Sequence, residues 1–303
     1  MSKFLGLTKR NLLIYFKDRQ SVIFSMLTSI IVLVLYLLFL KQSFVDAVES
    51  ALKGFENLVD KQDVDTLANC ILLVGIIGSA LITVPYNCLS TIVNDRENKI
   101  DYDISATPLK RWQIVLSYFT SATISAFIMS SVVLSIGLLV LQSQGDLYIS
   151  TSNIVYSYAL ALLGSVSATA FFMLIMLFFK TSSASGAFFG MLSAACGFII
   201  GAYIPLSQFS NGIQTFCNIF PGTGVTVMYR NTILNGLLDK INADIGGVDG
   251  GEFISSMKDA FTFKGSFFGN ELSLGGTVGY ILAFLIICII AMIIVYPKVY
   301  KRR

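Results

Sequence analysis

Most of the chemistry this chain can offer lies in a short charged segment between two long apolar stretches. Asn94 to Arg111 holds Asp95, Arg96, Glu97, Lys99, Asp101, Asp103, Lys110 and Arg111, four acids and four bases in alternation. Carboxylates set this way could act as acid and base at an interface, with Asp95, Asp101 and Asp103 as the candidates, or could form ion pairs with a soluble partner. Thr107-Pro108 breaks the segment before Trp112, because the residue before a proline is steered out of the helical region. A short charged helix joined rigidly to two apolar stretches suits docking in a groove of a soluble protein and passing a push onward. On charge alone the segment reads equally well as a solvated connector with internal ion pairs.

Other reactive chemistry is sparse. The 303 residues include no histidine, which removes the commonest general base and the commonest metal ligand. No phosphate-binding loop of the form G-x-x-x-x-G-K-[ST] occurs, nor G-x-G-x-x-G, G-x-S-x-G or a Cys/His cluster. Cys70, Cys88, Cys196, Cys217 and Cys288 lie inside apolar runs without ligand spacing and read as small buried hydrophobes. No cofactor or metal site is expected in this chain, nothing points to nucleic acid, and an enzyme is not expected.

The elements that must position the charged segment follow from composition. Hydrophobic residues make up 55% of the chain, charged residues 13%, and mean hydropathy is +0.75, against about 25% charged residues in a soluble domain. Charge-free runs cover Gln20–Leu40, Thr66–Asn94, Trp112–Gly145, Leu147–Phe179, Thr181–Tyr229 and Leu272–Pro297, the shortest being 21 residues. As a helix such a run spans roughly 30 Å, the thickness of a hydrocarbon core. The expected fold is an all-α membrane protein with spans at 21–40, 67–93, 112–141, 154–179, 184–204 and 273–297. An interfacial amphipathic helix at 1–20 precedes them, and an amphipathic segment fills 41–66 on the outer side. The first run is too long for a signal-peptide core and lacks a small-x-small site after it, so it is expected to stay in the protein.

The fifth run could hold two spans, but Pro205 and Pro221-Gly222 leave only the 15 residues Leu206–Phe220 between them. That is too short to cross. A re-entrant hairpin at 205–229, followed by an outer loop at 230–271 with short helices, fits better, since irregular backbone at membrane depth survives only where protein or a watery cavity satisfies it. With six spans and an inner N-terminus, the inner pieces hold 14 Lys and Arg against 7 outside. The positive-inside rule then puts both termini in the cytoplasm. No Asp, Glu, Lys or Arg falls at mid-span, which weakens an ion-coupled mechanism. Energy for uphill movement would come from a partner.

Asp95-Arg96-Glu97 followed by Thr107-Pro108-Leu109 resembles the acidic-basic segment and Pro-containing turn after the second span in the membrane subunits of type-2 ATP-binding-cassette (ABC) exporters. Gly201-Ala202-Tyr203-Ile204-Pro205, then Ile219-Phe220-Pro221, then Arg230 and Gly236, is similar to the fifth span and outer re-entrant helices of that family. The order of these motifs covers essentially the whole chain. Two positions depart from the family pattern: Asn98 to Ile100 replace a Gly-Thr pair, and Ser117-Tyr118 replace a Gly-Lys. The resemblance implies a permease in a bacterial plasma membrane, paired with an identical or paralogous copy and surrounded by lipid. A separate cytoplasmic ATPase chain would supply ATP and magnesium. It assigns ATPase coupling to Asp95, Arg96, Glu97, Ala106, Thr107 and Pro108, and the outer hairpin to Gly201, Pro205, Phe220, Pro221 and Arg230. An ATP-independent secondary transporter or channel is the alternative, and a membrane-embedded lipid enzyme using the three aspartates a more distant one.

Overall fold

The computed structural model describes residues 2–52, 54–55, 58–246 and 249–300. Gly247 and the tail charges Lys301, Arg302 and Arg303 lie outside the described residues. The first helix, α1 (Ser2–Lys17), runs up to Asp18, whose carboxylate accepts from Gln20 N and so caps α2 (Arg19–Leu35). The same device opens α4 (Lys61–Cys88) at Asp60, α8 (Thr151–Met176) at Ser150, α9 (Ser182–Ile199) at Thr181 and α14 (Leu274–Val299) at Ser273. Each cap satisfies a backbone N–H that the first helical turn leaves open. At α7 (Arg111–Gln142) the Gln113 side chain instead accepts from Lys110 N.

Among the described residues six helices are long and apolar enough to cross a membrane, so the all-α membrane fold read from the sequence is what forms. Their burial differs sharply. The most apolar window of α4 is 89% buried, whereas those of α9 and α14 are 17% buried. Thus α4 is the central post, with α2, α7, α8 and α9 packed on it, and the outer helices turn residues such as Ile286, Ile287 and Ile290 to the surroundings.

The helix of the first expected span does not break at Lys41. A π-helical turn at Tyr36–Leu40 leads straight into α3 (Lys41–Ala51), because Phe44 and Val48 bury against the same core as Tyr36 and Leu67 and draw the helix onward. The segment 94–111 also differs from a plain loop: α4 bends at Leu89 into α5 (Ser90–Glu97), and α6 (Ile100–Ala106) follows after Lys99 adopts a left-handed conformation.

On the opposite side, α10 (Asn211–Ile219), α11 (Pro221–Ile233), α12 (Asn235–Ile245) and α13 (Glu252–Ala260) are followed by an antiparallel pair, β1 (Gly265–Phe267) with β2 (Asn270–Leu272). That hairpin was not expected, since its strands are only three residues each. The side bearing α1, α5 and α6 is the basic face below, and the side bearing α3, α12 and α13 the acidic face.

Helix α11 leans on α4, α8 and α14. A Cβ at Gly78 would sit 2.6 Å from Thr226 Oγ1 and 2.8 Å from Ile200 Cδ1, so only glycine lets α4 and α11 approach this closely. Gly78→Val is expected to lower stability by about 1 to 3 kcal/mol through overpacking. Unfolding of the detergent-solubilised protein checks this, and an unchanged midpoint would show that α11 moves away freely.

Candidate functional site

Asp95, on α5, is 3% exposed and turns into the protein. Its carboxylate accepts two bonds from the Arg10 guanidinium, one of them Nη2 to Oδ1 at 2.8 Å, and a third from the Tyr118 hydroxyl. Beside it, Thr8 Oγ1 donates to Ser117 Oγ at 3.2 Å. Helix α1 is therefore pinned to α5 and α7 by buried polar contacts. The hydrogen bond to Asp95 holds the Arg10 guanidinium above its ordinary range, against the opposing effect of burial.

Arg96 goes elsewhere. Its Nη1 donates to Leu177 O at 2.9 Å and Phe179 O at 3.0 Å, and its guanidinium lies 4.6 Å from the Tyr300 ring centroid. A cation there satisfies the open carbonyls at the end of α8 and complements its dipole. Glu97 accepts from Ser182 N at 2.8 Å and from the Ser182 hydroxyl at the start of α9, where a carboxylate is favoured. Arg111 closes the set, donating to Pro297 O at 3.0 Å and Tyr300 O at 2.9 Å at the end of α14.

Three consecutive residues thus tie one short helix to α1, α8 and α9. The family resemblance assigned them to ATPase coupling, and in this chain their side chains engage its own helices. What remains turned outward is the surface of α6 and the turn after it: Tyr102, Asp103, Ala106, Thr107 and Pro108 are exposed. Asp101 is partly buried, and desolvation raises its carboxyl above the usual range. Between α1 and α6 lies an apolar groove of about 400 Å³ lined by Leu7, Ile104, Thr107, Pro108 and Leu109, with Lys3 at its edge. Tyr118 stood out only as a departure from the family pattern, and nothing in the sequence linked it, Arg10 or Ser182 to the charged segment, because contacts across 85 and 23 residues depend on how helices pack.

The second set of sequence-predicted residues lies along the segment from the end of α9 to α11, which dips between the spans. Gly201 ends α9 with φ 69°, and a Cβ there would meet Leu206 Cγ at 2.9 Å. Pro205 precedes a 3-10 turn at Leu206–Gln208. Phe220 joins α10 to α11 and packs on Phe171 and Phe172 at ring distances of 5.5 and 5.6 Å. Pro221 opens α11, where its missing N–H costs nothing. Arg230, 5% exposed, donates to Thr262 O at 3.0 Å, Ile200 O at 2.8 Å and Gly201 O at 3.1 Å. It binds the end of α9, α11 and the turn after α13 into one unit.

Among the described residues no group of side chains could hold a metal ion. All five cysteines are buried and free, as their apolar settings suggested. No curated protein matches the chain. The family model described as ABC-2 family transporter protein matches residues 47–296 of the 303, from α3 to the end of α14, and the chain therefore belongs to that family as a multi-pass membrane permease of an ABC transporter.

Proposed function

We propose that this permease is the membrane half of an ATP-driven exporter, working as a pair with an identical or paralogous copy. Its exposed α6 surface docks on a separate cytoplasmic ATPase that holds ATP and magnesium. The observation that carries the reading is the wiring of the basic face: α6 presents Tyr102, Asp103 and Ala106 outward, while the adjoining Asp95, Arg96 and Glu97 grip α1, α8 and α9. A force on α6 reaches those helices through charge-assisted bonds rather than through a slack loop. Support for pairing comes from α9, which exposes Gly186, Gly190 and Ala194 on one side, the small residues that let membrane helices approach.

The experiment is ATP hydrolysis by the complex with its co-purifying ATPase. Ala106→Trp places a bulky ring on the docking surface and is expected to abolish co-elution and to cut hydrolysis stimulation at least ten-fold. The isolated permease should keep its unfolding midpoint. Normal co-elution and stimulation would reduce α6 to a solvated connector.

Orientation in the bacterial plasma membrane is tested separately, with both termini expected in the cytoplasm. Because the native cysteines are all buried, the unmodified protein is the blank. An impermeant thiol reagent should label Ser50→Cys and Gln208→Cys in intact cells but not Lys3→Cys. Labelling of the last would reverse the assignment.

A further inference from the structure

A crevice of about 460 Å³ opens sideways between α2, α4 and α7, in the half of the spans nearer the acidic face. Its walls are Ser29 and Leu33 of α2, Asn69 and Leu73 of α4, and Gly137 and Leu141 of α7, with Gln144 just past the end of α7. Along α7 it reaches from Val133 to Leu141, a rise of roughly 12 Å at 1.5 Å per residue, well over a third of a 30 Å hydrocarbon core. Ile30 and Ile136, also in the lining, are 52% and 54% exposed, so the opening faces the surrounding hydrocarbon. This volume suits a small ligand rather than a packed helix.

Polar groups occupy two levels. At the rim, Asn69 Nδ2 donates to Gln144 Oε1 at 3.3 Å, and Gln62 Nε2 donates to Gln144 O at 3.0 Å. Deeper along α2, Ser29 is 5% exposed and its hydroxyl has no hydrogen-bond partner. No charged side chain lines the crevice, which disfavours an ionic head.

We propose that this crevice is a lateral binding site for an uncharged amphiphile with one alkyl chain, its hydroxyl or amide head and linking carbonyl at Asn69 and Gln144, and its chain running inward past Leu33, Leu73 and Gly137 toward Met26. The inference rests on the placement of these helices in a membrane and holds whether or not the chain exports cargo.

The test uses the full chain in nanodiscs of zwitterionic lipid with a trace of monoacylglycerol carrying a diazirine in its tail. After irradiation, labelled residues are mapped by mass spectrometry. Labelling at Met26–Leu33 and Leu72–Ile76 is expected to exceed that at Ile286–Ile290 on the lipid-facing α14 at least five-fold. Excess unlabelled monoacylglycerol should displace it, and a free fatty acid should not. Leu33→Trp, which fills the crevice, should reduce labelling at least five-fold. Asn69→Leu removes the head's hydrogen-bonding group at the rim and should weaken competition about three-fold. Uniform labelling of the crevice and α14 would mean bulk lipid only, and equal displacement by fatty acid would remove the neutral-head assignment. Cross-links between two copies through Ile30 and Ile136 would make the crevice a protein interface, and unchanged labelling and competition in both variants would likewise overturn the site.

Discussion

Arg10→Met is expected to destabilise the protein by about 3 kcal/mol, at the lower end of the 3 to 5 kcal/mol that removing one partner of a buried ion pair costs. The lower end applies because the Arg10 side chain is 31% exposed while that of Asp95 is only 5% exposed, so the charge left behind is buried but keeps the Tyr118 hydroxyl. Asp95→Leu alone leaves a guanidinium that can still reach water, and should cost less. In the double variant the stranded charge disappears, and part of the loss should return. A double-mutant cycle on urea unfolding of the solubilised protein measures the pair directly, with a coupling of about 1 to 3 kcal/mol expected for residues in contact. A coupling below about 0.5 kcal/mol would show that α1 is not held to α5 by this pair. In the assembled complex, Arg10→Met should also lower ATPase stimulation although it lies outside the docking surface, since α1 would no longer follow α6.

Arg230→Met is expected to cost more, at least about 3 kcal/mol, because each buried carbonyl left without a partner costs about 1 to 3 kcal/mol and three are released together. The three are Ile200 O and Gly201 O, just past the end of α9, and Thr262 O, after α13. Among the described residues no carboxylate pairs with Arg230, so its charge is held by backbone dipoles at a helix C-terminus, a favourable place for a cation. Arg230→Lys should recover only part of the stability, because a compact ammonium lacks the fork needed to serve carbonyls on both sides. Thermal unfolding of the three proteins in one detergent gives the order. Equal midpoints for the arginine and methionine proteins would mean that these carbonyls find other donors.

The six spans were legible because each is marked locally, by a charge-free run and, for most, by Asp or Ser/Thr at the residue that becomes the cap. The ends were less so. Lys41 looked like a stop, yet Phe44 and Val48 three and seven residues later sit on the face that α4 covers, and that burial outweighs one charge at a helix surface. The strands at Gly265–Leu272 escaped notice because three-residue strands show no period to read.

At the candidate site, residue types were visible but directions were not. Ser117 and Tyr118, where the family pattern has a Gly-Lys, are the residues that receive Thr8 and donate to Asp95. This departure therefore belongs to the same contact that turns Asp95 inward. By itself the sequence determined the membrane class, the six apolar helices and the family, since hydrophobic run length, caps and motif order are properties of neighbouring residues. Only the tertiary structure decided that Asp95, Arg96 and Glu97 hold α1, α8 and α9 while Tyr102, Asp103, Ala106, Thr107 and Pro108 face outward. Adjacent residues on α5 point about 100° apart around its axis, and which neighbour each one meets is set by packing helices whose sequences lie up to 85 residues away.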